Sequence, residues 1–407
     1  MIRRWRVAAL LGVAALLVGG CSTLGYYYQA ARGHLALVHA ARPVDDWLGD
    51  PATPDALRTR LESARAIRDF ASRELGLPDN GSYRKYAETG RPFVVWNVVA
   101  APAFSTHPRE WCFPVAGCVS YKGWYEPADA ERFAAGLRAD GLDAFVYGVP
   151  AYSTLGWFDD PLLSTFLRYP RAEVARLVFH ELAHQLAYAP GDSSFNEGFA
   201  TVVELEGVRR WLARVGTADE RAQFDAMTVR KRGFVALVRC TRARLDAVYA
   251  GTDDEARKRD AKAAAFATMR SDYSALKVRW GGFAGYDFWF AQPLSNAHLA
   301  SIGTYEDALP ALDALLDRVG RDLPRFYAEV RALAKLDRKV RAARLGLPDA
   351  PAPDDYDAAA VVPGEPARLD EHAAHRRAVS AHELRGGVHD DVSAEFDRLA
   401  EVGRRER

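Results

Sequence analysis

Two histidines, His180 and His184, stand four residues apart, and Glu181 directly follows the first. On a helix, positions four apart share one face, so both imidazoles can reach a single metal ion. Glu181 lies beside that face. It can take a proton from an activated water and pass it to a leaving amine without filling a coordination position. This is the spacing of the H-E-x-x-H signature of zinc-assisted hydrolysis. A lookalike at His382-Glu383 goes no further, because Gly386 stands where its second histidine belongs.

The next segment supplies what the pair lacks. Pro190-Gly191-Asp192 ends the first helix and turns the chain. Ser193, Ser194 or Asn196 can cap a second helix running to about Arg214. An antiparallel neighbour brings Glu197, near its start, back towards His184. Two histidines, one glutamate and a water make a catalytic zinc set. Glu204, two turns beyond Glu197, is placed to receive the far ring N–H of a ligand histidine and so fix its tautomer.

Asn196-Glu197-Gly198-Phe199-Ala200, continuing to Glu204, resembles the second zinc helix of aminopeptidase N-type gluzincins. That resemblance implies that Glu197 is the third ligand to Zn2+. More widely, the chain from its amino-terminal cysteine to about Leu345 resembles a family of bacterial lipoproteins predicted to be zinc aminopeptidases. The segments carrying this likeness are Trp111–Cys118, Tyr152–Pro161, the two zinc segments and Pro293–Ala297. Two departures stand out. The connection from His184 to Glu197 is shorter than in aminopeptidase N-type enzymes, so it must be a compact turn. The chain also has no Gly-x-Met-Glu-Asn stretch, whose glutamate captures the substrate's free amine in those enzymes.

Hydrolysis through a tetrahedral oxyanion needs a second donor beside the metal. Tyr286 and Tyr305 are the tyrosine candidates, with His298 as an alternative to them. Gluzincins hold the substrate backbone along an edge strand upstream of the zinc helix, and Tyr152 to Phe158 is expected to be that strand. Tyr152 and Asp159 are then substrate-binding candidates, Asp159 for a peptide's amino terminus. The competing reading is that Asp159-Asp160-Pro161 caps a helix. Cys112 and Cys118 suit a small disulfide loop in an oxidising compartment, with a two-cysteine metal site as the rival. Cys240, on a helical pattern, is expected to be buried.

The positioning elements follow from periodicity. Helices are expected at Tyr26 to Ala41, Pro54 to Leu75 and Pro127 to Asp140, and a strand at Arg91 to Ala101. Asp143 to Phe158 reads as one or two strands broken at Gly148-Val149-Pro150. From Arg171 to about Arg344 helices dominate, with breaks at Pro190-Gly191, Gly216, Gly251 and Gly281-Gly282. Strands upstream of a helical half give an α+β fold, predominantly helical, with a small sheet packed over the gluzincin-like zinc-binding helix pair.

The chain of 407 residues carries 54 Lys plus Arg against 54 Asp plus Glu, so no electrostatic footprint for nucleic acid exists. With 49% hydrophobic and 27% charged residues it is ordinary globular material. Arg3, Arg4 and Arg6, an apolar run from Val7 to Val18 and Gly19-Gly20-Cys21 form a secretory signal over residues 1–20. The glycine–cysteine junction resembles a bacterial lipobox, which implies a lipid anchor on Cys21. Ser22 rather than aspartate points to the outer membrane, facing the periplasm. Residues 21–347 form the expected metallopeptidase domain, and 348–407, rich in Ala, Pro and charge, a disordered tail. The expected function is zinc-dependent hydrolysis of peptide substrates, with amino-terminal cleavage foremost. A periplasmic endopeptidase and a non-catalytic envelope lipoprotein with a structural metal are the alternatives.

Overall fold

The computed structural model describes residues 25–113, 117–154, 156–303 and 308–347. Cys21 with the leader, Tyr305 and the tail lie outside them. Among the described residues no helix is long and apolar enough to cross a membrane.

Two helices, α6 (Arg171–His184) and α7 (Ser193–Val215), form the centre. Nearly every residue of α6 from Ala172 to His184 is buried. Its apolar residues cover more than one face, and its polar residues Arg176, His180, Glu181 and His184 are buried with them, so the helix must be enclosed. It is enclosed by α7, by α3 (Asp55–Arg73) and by the main apolar core. Helix α3 begins just after Pro54 and buries Leu61, Ala64, Ile67 and Ala71, one stripe at helical spacing. On the other side α12 (Leu309–Arg318) and α13 (Leu323–Ala334) close over α7, with Leu312, Leu316 and Phe326 in the same core.

The main sheet has the order β6 (Lys122–Trp124), β3 (Val95–Pro102), β7 (Leu142–Val149), antiparallel throughout. Side chains alternate between the faces of a strand. Val98 and Ala100 of β3 pack with Ala130 and Ala134 of α4 (Pro127–Ala139). Val99 and Ala101 face a second core from α8 (Ala218–Ala250), α9 (Glu255–Arg279), α10 (Asp287–Ala291) and α11 (Asn296–Gly303). Burial on both faces explains why β3 reads as an unbroken apolar run. A smaller sheet joins β1 (Arg42–Pro43), β2 (Lys85–Ala87) and β8 (Leu162–Leu163). Two short helices, α2 (Val44–Gly49) and α5 (Ser164–Leu167), adjoin it, and α14 (Arg338–Arg344) ends the described chain. Cys112 and Cys118 are disulfide-bonded directly across the hairpin of β4 (Trp111–Phe113) and β5 (Gly117–Val119).

The expected α+β architecture with dominant helices holds, and the breaks at Pro190-Gly191, Gly216, Gly251 and Gly281-Gly282 all fall between helices. Two expectations do not. Tyr152 to Phe158 is not a strand: β7 ends at Val149, and the described residues that follow, up to Asp160, form loop and turn. The β-favouring composition there is overridden because Gly156 takes φ +83° and Thr154 and Asp160 tie the loop to itself, Thr154 N–H donating to Asp160 Oδ2 at 2.9 Å. Cys240 is exposed, since α8 turns Leu237, Val238 and Thr241 inward and position 240 out.

Helices α6 and α7 approach closely at Gly207. A Cβ there would stand 2.8 Å from Leu75 Cδ1 and from Phe179 Cδ2. Gly207→Leu should therefore lower stability by about 1–3 kcal/mol through overpacking, seen as a reduced urea midpoint. An unchanged midpoint would disprove this packing.

Candidate metal centre

The turn between α6 and α7 is stapled by one side chain. Asn196 Oδ1 accepts from the Ala189 N–H at 2.7 Å, and Asn196 Nδ2 donates to the Ala189 carbonyl at 2.9 Å. The N-cap is Asp192 rather than the expected Ser193, Ser194 or Asn196, its Oδ1 accepting from the Phe195 N–H at 3.1 Å. Arg341 holds the other carboxylate oxygen of Asp192 at 2.8 Å. Gly191 takes φ +75°, the left-handed conformation that lets the turn be so short. After the turn, Gly198 leaves room for the backbone of α12, whose Leu309 nitrogen would be 3.1 Å from a Cβ. Asn196, Glu197 and Gly198 thus have three separate tasks: closing the turn, facing α6 and admitting α12.

With the helices so fixed, His180, His184 and Glu197 converge. His180 Nε2 lies 3.1 Å from His184 Nε2 and 3.2 Å from Glu197 Oε2, and His184 Nε2 lies 3.6 Å from Glu197 Oε1. A tetrahedral ion with bonds of about 2.0–2.2 Å holds its ligand atoms about 3.3–3.6 Å apart. The separations of 3.1, 3.2 and 3.6 Å lie close to that range, so small side-chain shifts seat an ion of zinc's size. Both histidines are buried, whereas the Glu197 side chain is 20% exposed, so the set has an open side.

Behind the triangle, His180 Nδ1 lies 2.8 Å from Oε2 of the fully buried Glu204, at ion-pair distance though off the in-line hydrogen-bond direction. Arg176, one turn before His180, reaches Glu204 Oε1 at 3.3 Å and Glu173 Oε2 at 2.7 Å. Burial opposes ionisation of Glu204, but Arg176 and His180 overcome it and hold the carboxyl below its usual range. Two imidazoles 3.1 Å apart can share one positive charge, not carry two. Against its burial, Glu197 and Glu204 draw that charge onto His180, whose pKa rises to about 10, while burial pushes His184 down to about 4. The donor set of two imidazoles and a carboxylate suits a divalent cation.

Glu181 is buried beside His180. The charges of Glu197, then Tyr188 and Glu181, act on the Tyr121 hydroxyl, which burial raises above the ordinary tyrosine range. Tyr188 is raised by burial and then by Glu197. These two tyrosines, which the motif reading did not include, lie within electrostatic reach of Glu197. Tyr121 lies between β5 and β6, remote from α6 in sequence, and no local spacing pointed to it.

The other expected site residues are placed differently. Tyr286 is a packing residue, stacked on Phe234 with ring centroids 4.3 Å apart, and the charges acting on it are Arg176 and Glu173, upstream of His180 on α6, and Arg230 of α8. His298 stacks on Phe145 in the same second core. Neither joins the triangle. Tyr152 gives its hydroxyl to a hydrogen bond with His34 Nδ1 at 2.8 Å and does not belong to an edge strand. Asp159 is exposed, its carboxylate lying over Gly81, and neither it nor Asp160 caps a helix. Asp160 is the buried carboxyl of the pair, raised by burial to about 6.

Replacing Glu204 by Gln keeps the shape and removes the charge behind His180. The expected result of Glu204→Gln is an affinity for zinc lowered about 10–100-fold, measured by chelator competition. Equal affinity would remove Glu204 from any supporting role.

A universal stress protein from Thermus aquaticus, encoded in the QAH/OAS sulfhydrylase 3′ region, is 44% identical over 50 residues, 12% of this chain and 36% of that protein. The chain thus spans about a third of that relative's length, and so short a stretch carries no functional argument. No solved structure matches. The family described as "Putative aminopeptidase" matches residues 25–345, which include the helix pair, the sheets and both large cores, and the chain belongs to that family.

Proposed function

We propose that the protein is a zinc-dependent peptidase of the gluzincin type that removes residues from the amino terminus of peptides. We further propose that it is a lipoprotein tethered through Cys21 to the outer membrane and facing the periplasm. The observation that carries the enzymatic reading is the triangle of His180, His184 and Glu197, open on one side and flanked by Glu181. A structural zinc site uses four protein ligands, whereas three with an accessible side leave a position for water or substrate. Membership of an aminopeptidase family supports the same reaction class.

When bound, zinc supplies Lewis acidity towards the scissile carbonyl and acidifies water. The chain's own residues do the rest. Glu181, buried and outside the ligand set, takes the proton from the attacking water and delivers it to the departing amine. Glu204 holds the His180 ring so that Nε2 faces the triangle. Tyr121 is the hydroxyl whose surroundings include both Glu197 and Glu181, and it is proposed to donate to the developing oxyanion in place of Tyr286.

Glu181→Gln should retain zinc and lose about 10²–10⁴-fold in kcat. Retained activity with zinc in place would refute this mechanism. Tyr121→Phe is expected to cost about 10²–10³-fold in kcat with little change in zinc content, and a kcat equal to the parent's would exclude the donor role. A chelator should abolish activity, and added zinc restore it. For specificity, a free-amine peptide is compared with its acetylated copy. Loss of cleavage on acetylation is expected of an aminopeptidase, whereas equal cleavage would make the enzyme an endopeptidase, consistent with the missing Gly-x-Met-Glu-Asn glutamate.

A further inference from the structure

The first described helix, α1 (residues 25–40), is fastened to the body along one face. Tyr26 packs against Trp124 at 5.2 Å and under the Lys122 ammonium at 4.1 Å. Gln29 bridges the outer edge of β6, donating to the Gly123 carbonyl and accepting from the Tyr125 N–H. Gly33 sits on the Tyr125 ring with no room for a Cβ, and Leu37 is buried. These positions recur at helical spacing, so the opposite rows must face outward.

Those outward rows are apolar where solvent favours polar residues. Tyr27 is 42% exposed, Tyr28 66% and Leu35 50%. Tyr27 and His34 share one row, Tyr28 and Leu35 the next, with exposed Arg32 between the latter two. The patch continues onto another segment: the His34 ring lies 4.6 Å from the ring of Phe158, itself 53% exposed, and its neighbour Trp157 is 73% exposed. Half of the large hydrophobic side chains exposed among the described residues thus gather here, while the rest scatter over α7, α8, α9, α10 and α14. A gathered apolar patch marks a docking surface.

The position of α1 in the chain identifies the occupant. Three residues lie between Cys21 and Gly25, and the four steps fully extended span only about 14 Å. Tyrosine and tryptophan rings settle at the boundary between headgroups and acyl chains. An arginine within an apolar face can lay its stem on hydrocarbon and its guanidinium among phosphates. We propose that Tyr27, Tyr28, Leu35, Trp157 and Phe158 form the face that rests on the lipid bilayer, rings at headgroup depth. This inference builds on the Cys21 anchor proposed above. It sets the molecule's orientation: loop 156–160, whose Gly156 abuts Gln185 next to His184, places the end of α6 towards the membrane. Substrates reaching the centre from that side are peptides close to the bilayer surface.

The test uses the full-length lipoprotein in vesicles of phosphatidylethanolamine and phosphatidylglycerol. Cys240→Ser removes the free thiol, and the Cys112–Cys118 bond is kept oxidised. A polarity-sensitive fluorophore is placed through Trp157→Cys, and in a second protein through Val278→Cys, at a position 79% exposed on α9. With vesicles carrying a quencher in the upper acyl chain, the probe at 157 should be quenched severalfold more than the probe at 278. Equal quenching on protein that floats with the vesicles would overturn the bilayer face while leaving the anchor intact. Protein that fails to float would overturn the anchor and this inference with it. A probe at 157 that responds to added peptide but not to lipid would assign the patch to substrate instead.

Discussion

The His180 ring is held between two carboxylates of the same neighbouring helix, Glu197 on its Nε2 side and Glu204 on its Nδ1 side. Both come from α7, two turns apart on one face. A buried ring with anions at both nitrogens is stable only if positive charge is supplied. Arg176 neutralises the Glu204 side. On the Glu197 side His184 adds a further nitrogen, 3.6 Å from Glu197 Oε1. The surrounding architecture serves to keep α6 and α7 in the one register that creates this arrangement.

Three devices hold that register. The Asn196 staple fixes the turn, and Asp192, held by Arg341 of α14, starts α7 at a defined place. Glycines at 198 and 207 let α7 meet α12 on one side and Leu75 and Phe179 on the other. Because interiors are close-packed, small shifts in these contacts move Glu197 relative to the imidazoles. Positions remote from the ligands therefore bear on metal affinity as well as on stability.

The main sheet stands apart from the helix pair in the core but reaches it through the chain leading into β6. Tyr121 arrives there from a segment pinned by the Cys112–Cys118 hairpin and by α1 at the β6 edge. The carboxylates come from α6 and α7, and Tyr121, whose hydroxyl feels the charge of Glu197, comes from the sheet layer.

The convergence of His180, His184 and Glu197, with Glu204 behind His180, was legible in the sequence because it depends on distances within two helices. Residues four and seven apart share a helical face whatever the tertiary fold, and a Pro-Gly-Asp turn reverses the chain locally. The helix breaks were legible for the same reason. Where contacts are long-range, local pattern failed. The loop after Val149 has strand-like composition but is shaped by Gly156, by Asp160 and by its packing against α1. Tyr286 had the right chemistry, yet Phe234 holds it in a separate core. Tyr121 and the exposed aromatic patch of α1 and residues 157–158 became visible only when segments distant in sequence were brought together. Spacing along one helix is fixed by backbone geometry, whereas proximity between layers depends on which apolar surfaces bury one another.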